Sequence, residues 1–190
     1  HSKRMPPKGA LGYAFGDSRA DCKRRCLDAG GEWTTASAST VARCSGGEYA
    51  TAHERTNSVT LQFKKAVLIR LFVDLDLRGR NAARKWRDAR KLLDVLKKRY
   101  GAPGMRQERL PSDCRTASAL AACVRRGRAT NSATWSWGRS GDGDAIVTIE
   151  RMVSATLVWL GAQGTRVAGI RLTVTYASPA AMDGLMSQGL

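Results

Sequence analysis

The hydrophobic pattern of this chain switches between two periods, and that switch constrains the fold more than any other feature of the sequence. Apolar and polar residues alternate over 59–63 and 67–75, which predicts two antiparallel strands joined near Lys64 and Lys65. Over 81–100 the apolar residues instead recur at steps of three and four, the period of an amphipathic helix of about five turns. A sheet covered by a long helix is therefore expected.

Period-two alternation returns toward the C-terminus. Glycine-containing stretches typical of turns separate four segments there, and these segments predict a meander of strands over 133–137, 145–149, 153–159 and 170–176. Before the long helix, short strands are expected over 32–35 and 40–44.

Two shorter helices are predicted from their capping signals. The first starts at Asp17 or Ser18 and ends at the pair Gly30-Gly31. The second starts at residue 116 or 117 and ends at Arg126, just before a glycine.

The order of predicted elements is helix, four strands, long helix, short helix and four strands, which indicates an α+β fold. We expect a two-layer sandwich in which antiparallel sheets pack against the long amphipathic helix. Residues 1–12 are predicted to be a flexible arm and 179–190 a flexible tail, because neither shows a pattern. Residues 13–178 form either one α+β domain or a tandem duplication with repeats 13–77 and 79–178.

The cysteines fall in two clusters, and none forms the Cys-x-x-Cys pair of redox or zinc-ribbon sites. We therefore interpret these cysteines as disulfide-forming. Cys26 is the expected partner of Cys44, because the glycine pair that follows the first helix lets the chain double back, and Cys22 is then left as a free thiol. Disulfides persist in oxidising compartments, so a periplasmic or secreted protein is expected.

Cys114 and Cys123 are predicted to form the second disulfide if the short helix starts after Cys114. In one continuous helix their Cα atoms would lie about 13 Å apart, beyond the roughly 7 Å that a disulfide spans. Pro111 and the two residues after it favour a turn and hence the late start.

The first cysteine cluster also includes the motif Gly30-Gly31-Glu32-Trp33. The arrangement of helix, cysteine, Gly-Gly-x-Trp, second cysteine and alternating strands resembles the small tandem α+β modules of bacterial envelopes, such as the β-lactamase inhibitor protein and the small lipoprotein of the outer-membrane assembly machine. Residues 15–44 and 100–137 carry the resemblance. It implies a two-layer fold and a tendency to bind proteins, and no functional residue is carried over from it.

Few residues suit catalysis or metal binding. A histidine-dependent catalytic site would have to use His53, so we expect no enzyme activity, no catalytic residues and no cofactor. The metal alternative is a zinc site built from Cys22, Cys26, Cys44 and His53, but the spacing matches no strong zinc motif and the disulfide interpretation is simpler. No metal site is therefore predicted.

Two further residue pairs allow more than one interpretation. Asp74 and Asp76 share one strand face, which would suit glycoside chemistry or a metal, but neighbouring cations favour a salt-bridged solvent face. Trp135 and Trp137 also share a face, and they would serve either as an exposed stacking platform or as core.

The most unusual property of the chain is its formal charge of +16. Residues 64–109 hold 15 cations and 5 anions, and this segment is called the basic belt. Opposite the apolar stripe of the long helix, cations recur at steps of 4, 3, 4 and 7 and form one predicted polyanion- or partner-binding face; they are Arg80, Arg84, Arg87, Lys91 and Lys98.

These observations leave two classes of function. The first is an extracytoplasmic, non-enzymatic binding module that docks on a protein or on an anionic envelope component. The alternative is a nucleic-acid-binding protein that uses the basic belt, although no helix-turn-helix, zinc-finger or RNP motif occurs. No apolar run has the roughly 18 residues of a transmembrane span.

Overall fold

The computed structural model describes residues 5–35, 40–47, 56–77, 82–140, 146–160 and 169–186. Within these ranges the chain forms helices and an eight-stranded antiparallel sheet, so the fold is α+β. The elements run, in chain order, β1 Gly9–Ala10, β2 Tyr13–Ala14, α1 Arg19–Asp28, β3 Glu32–Thr35, β4 Val41–Ser45, β5 Thr56–Lys64, β6 Val67–Asp76, α2 Ala82–Tyr100, β7 Met105–Arg109, α3 Ala117–Arg125, β8 Thr130–Ser140, β9 Ile146–Leu160, β10 Gly169–Ala177 and α4 Pro179–Met186.

The strand order of the large sheet is β3-β4-β5-β6-β10-β9-β8-β7. The expectation of separate sheets was wrong, because β6 and β10 pair with each other, Val73 opposite Val174, and join the two halves. This pairing satisfies backbone groups that would otherwise line two exposed sheet edges. The tandem duplication stays a prediction.

The second half of the sheet also differs from the predicted meander. Residues 146–160 form the single strand β9, because the two predicted segments share one alternation and no turn lies between them. The remaining strand of this half is β7, which sequence reasoning missed. All five of its residues are exposed at the sheet edge, so no apolar alternation marks it.

A bulge breaks the predicted alternation of β6. Gln62 of β5 pairs with Arg70 whereas Phe63 pairs with Leu68, so Ile69 is an extra residue in β6. Ile69 therefore joins a second apolar cluster, with Ala177 and Met182, instead of the main core. The expectation that one unbroken stripe runs along this strand was wrong for that reason.

The two ends of the chain are also more structured than predicted. Strand β1, which lies in the predicted arm, pairs with β2 just after it, and Tyr13 of β2 is fully buried. In place of the start of a flexible tail, α4 begins at Pro179, a residue that suits the first position of a helix. Ala181 and Met182 of α4 are buried against the sheet.

Helices α1, α2 and α3 share one core with the sheet. Cys26 of α1, Leu93 of α2 and Leu120 of α3 are buried in it, together with Leu71 and Leu172 from the centre of the sheet. We call this side of the sheet the covered face. The alternate residues of the strands point to the opposite side, the open face, where α4 packs against β6 and β9.

Candidate polyanion-binding surface

The buried side of α2 determines which of its residues face outward. Trp86, Ala89 and Leu93 are buried in the core, and Tyr100 at the end of the helix packs against the rings of Trp135 and Trp137 at 6.1 and 5.6 Å between centroids. Residues on the opposite side of such a helix must lie in solvent.

The predicted cations of α2 occupy that solvent side. Arg84, Arg87, Lys91 and Lys98 are all exposed, and we call these four residues the cationic face. From Arg84 to Lys98 they extend over about 21 Å of helix axis. Arg80, the fifth predicted member, lies outside the described residues.

Few carboxylates interrupt this surface. The whole of α2 contains eight cations and the two carboxylates Asp88 and Asp94. Three of the cations, Lys97, Lys98 and Arg99, lie in the last turn, where positive charge also stabilises the helix dipole. Arg90 belongs to the scaffold, because its Nε lies 3.2 Å from Oε1 of Glu108.

The basic belt is not one continuous surface. Arg106 is committed to the scaffold, with Nη1 donating to Oδ1 of Asn131 at 2.6 Å and Nη2 donating to Oε2 of Glu108 at 3.0 Å. Arg70 lies on the open face, where its Nη2 donates to the carbonyl oxygen of Ala181 in α4 at 3.4 Å. The cationic face of α2 is therefore the part of the belt that is both exposed and clustered on one element.

Both predicted disulfides are present. Cys26 of α1 bonds to Cys44 of β4 with Cα atoms 5.8 Å apart, and Cys114 bonds to Cys123 of α3 with Cα atoms 5.9 Å apart. The late helix start occurs as predicted, because a short 3-10 turn at Ser112–Cys114 precedes α3. Cys22 is a buried free thiol, and burial raises its pKa to about 12.

Asp74 forms an ion pair, as the sequence predicted, but the prediction that it lies on a solvent face was wrong. It is buried, and its carboxylate accepts hydrogen bonds from Ser58 Oγ at 3.1 Å and Thr173 Oγ1 at 2.9 Å, with Arg43 Nη2 3.7 Å away. The side chain of Asp76 lies outside the described part of the molecule.

The tryptophan pair belongs to the core. Trp135 is buried and its Nε1 donates to the carbonyl oxygen of Gly101 at 2.9 Å, while Trp137 is half-buried beside Tyr100. These contacts contradict an exposed stacking platform.

The structure offers no support for the zinc alternative. The Cys26–Cys44 disulfide uses two of the four candidate ligands, and His53 lies outside the described residues. In the described ranges no group of three or more potential ligands could hold a metal ion. Among the same residues, no helix has the length and apolar character needed to cross a membrane.

Sequence reasoning missed a second surface feature, a pair of hydroxyl rows on the open face. Strand register aligns serines and threonines of neighbouring strands, and β6 interrupts each row with one residue. The first row is Thr60, Phe72, Thr175, Ser154 and Thr134, and the second is Ser58, Asp74, Thr173, Thr156 and Ser132. The repeated Ser/Thr-x-Thr triplets within these strands were the available signal.

Comparison of the chain with protein-family models, with curated proteins and with solved structures finds no match. The evidence on function therefore comes from the surfaces of the fold.

Proposed function

We propose that this protein is an extracytoplasmic, non-enzymatic binding module that docks on an anionic envelope component through the cationic face of α2. The observation that carries the proposal is the exposure of Arg84, Arg87, Lys91 and Lys98 on one side of a helix whose other side is buried. A surface with one dominant sign of charge attracts ligands of the opposite sign and accelerates their association.

The two disulfides support the extracytoplasmic part of the proposal. Such bonds are kept in oxidising compartments and are rare in the cytosol. One bond ties α1 to strand β4 and the other ties the 3-10 turn to α3, so the scaffold that holds α2 is suited to an environment without reducing thiols.

An envelope surface suits the cationic face better than a nucleic-acid groove. The four cations lie on the outside of a helix that is packed lengthwise on the protein, whereas Arg106 of the belt is bonded to Asn131 and Arg70 lies on the open face of the sheet. A helix that reads DNA must enter the major groove, whereas a laterally exposed helix matches a flat array of phosphates or carboxylates.

The test is co-sedimentation with vesicles that contain one-third anionic phospholipid or none, and with lipopolysaccharide aggregates. The variant Arg84→Glu/Arg87→Glu/Lys91→Glu should lose binding to the anionic particles. The matched control is Lys8→Glu/Lys64→Glu/Lys65→Glu, which changes the net charge equally at exposed sites outside α2 and should retain most of the binding. Equal loss in both variants would show that net charge alone is responsible and would contradict the proposal.

Duplex DNA serves as the competing ligand. A nucleic-acid binder that uses n phosphate contacts loses affinity with a log–log salt slope of about −0.9n. If DNA binding survives physiological salt, depends on the α2 cations and exceeds binding to anionic particles, the nucleic-acid alternative replaces the proposal.

A further inference from the structure

The open face carries hydroxyl groups that no side chain in the described ranges uses. Thr60, Thr156, Thr175 and Ser132 are half-buried, and among the described residues no side-chain hydrogen bond engages them. Neighbouring strands are about 4.8 Å apart, so the two rows form a grid of hydroxyls that both donate and accept hydrogen bonds. Helix α4 covers only the end of this face near Ile69 and Ala177.

Two arginines beside this grid have unused donors. Arg43 Nη2 donates to Ser58 Oγ at 3.2 Å and lies 3.7 Å from Oδ2 of Asp74, and Arg70 Nη2 makes one long bond of 3.4 Å to the carbonyl oxygen of Ala181. The Nε atom of each guanidinium is buried without a hydrogen-bond partner. A guanidinium has five donor hydrogens, and in the described part of the chain no residue accepts a hydrogen bond from Nη1 of either arginine, so both side chains have donors left for an additional acceptor.

The aromatic ring of Phe72 lies between these groups in the first hydroxyl row. It is half-buried, pairs across strands with Thr60 and Thr175, and has the Arg70 guanidinium 5.8 Å from its centroid. An apolar ring that is partly accessible inside a polar surface suits a ligand that has both an apolar face and polar edges.

We infer that the open face binds an acidic polysaccharide, a surface and ligand distinct from the α2 interaction proposed above. Sugar hydroxyls pair with Thr60, Thr156 and Thr175, carboxylates of the sugar chain pair with Arg43 and Arg70, and the apolar face of a sugar ring packs on Phe72. Single-stranded nucleic acid fits this face less well, because it requires several stacking rings and the two described hydroxyl rows contain one.

The inference is tested with polygalacturonate oligosaccharides of about ten sugars, titrated calorimetrically into the protein. The parent is the variant Arg84→Glu/Arg87→Glu/Lys91→Glu, so that three of the four cations of the cationic face are reversed. The matched ligand is the same oligosaccharide with its carboxylates methyl-esterified. We expect binding of the acid form and at least a tenfold weaker affinity for the ester, since a hydrogen bond between charged groups contributes about that factor.

Two further variants locate the site. In the same parent, Arg43→Gln/Arg70→Gln should weaken binding of the acid form about tenfold or more and leave the weak ester binding unchanged. Thr156→Val/Thr175→Val preserves side-chain shape and strand preference, and should weaken binding of both forms several-fold.

The proposal is overturned if the oligosaccharide does not bind, or if the threonine variant binds as the parent does. Should the arginine variant fail to fold, as judged by its thermal unfolding, the threonine variant and the esterified ligand decide the question. Because three of the four cations of the cationic face are already reversed in the parent, failure here leaves the proposed function intact, and failure of vesicle binding leaves this inference intact.

Discussion

The covered and the open faces of the sheet are built from alternate residues of the same strands, yet they have opposite chemistry. The covered face presents Leu71, Val174 and Ala155, all buried beneath helices whose outer surfaces are cationic. The open face presents aligned serines and threonines. One alternation therefore separates the core from a polar surface, because the apolar residues determine where the helices pack and their polar neighbours form the remaining surface.

The two faces should differ most in how much stability the protein loses on substitution. Leu93→Ala removes a side chain that is 3% exposed on the covered side, and should lower the free energy of unfolding by about 2–5 kcal/mol. Thr175→Val on the open face should change it by less than about 0.5 kcal/mol. Urea unfolding of both variants measures the difference, and equal effects would contradict the distinction between the faces.

The disulfides should add a smaller share of stability, on the covered side. The bond between Cys26 and Cys44 closes a loop with a sequence separation of 18, and loop-closure entropy assigns it about 3 kcal/mol. Its replacement by Cys26→Ala/Cys44→Ala should lower the free energy of unfolding by up to that amount. Thiol titration of the denatured, unreduced protein should find the single free cysteine, and finding five thiols would contradict both bonds.

Gly31 packs directly against this disulfide. A Cβ atom at this position would lie 2.6 Å from Cys44 Sγ and 3.0 Å from Cys26 Sγ, a clash that the rigid bond cannot relieve. Gly31→Ala should therefore destabilise the protein by about 1–3 kcal/mol. At Gly104 the nearest atom would be 3.9 Å away, so Gly104→Ala is the matched control and should fold normally. Thermal unfolding of the two variants distinguishes a local clash from a general effect of losing a glycine.

A further expected effect is a dependence of stability on alkaline pH. Burial raises the pKa of Cys22 from 9.0 to about 12, so between these values the folded state holds a proton that the unfolded state releases. The free energy of unfolding should therefore fall as the pH rises above 9. Cys22→Ala should have a shallower decline over the same range, whereas identical slopes would show that the thiol is not buried in solution.

The parts of the fold that the sequence predicted are those set by local spacing. The disulfide pairing followed from the glycine pair after α1 and from the turn before Cys123, both short-range features. Strand β7 and the bulge at Ile69 were missed, since an edge strand with exposed residues has no apolar alternation and a bulge leaves no mark on composition. The joining of β6 to β10 depends on contacts about 100 residues apart, which periodicity does not encode.

The same distinction applies to the candidate surfaces. The cationic face of α2 was predictable because residues such as Arg84 and Arg87 share a helix face by their spacing alone. The hydroxyl rows exist only once the register of five strands is known, and single triplets such as Thr173-Val174-Thr175 carry no information about their neighbours. Asp74 was misread for this reason, because Thr173 and Ser58 reach it from other strands.

The most direct measurement of the role of α2 is lysine footprinting by acetylation and mass spectrometry, with and without anionic vesicles. Lys91 and Lys98 lie on the cationic face, while Lys8 and Lys64 are exposed elsewhere and serve as internal references. We predict that vesicles slow acetylation of Lys91 and Lys98 several-fold and leave the reference lysines unchanged. Uniform slowing at all four lysines, or protection confined to Lys8 and Lys64, would contradict docking through α2.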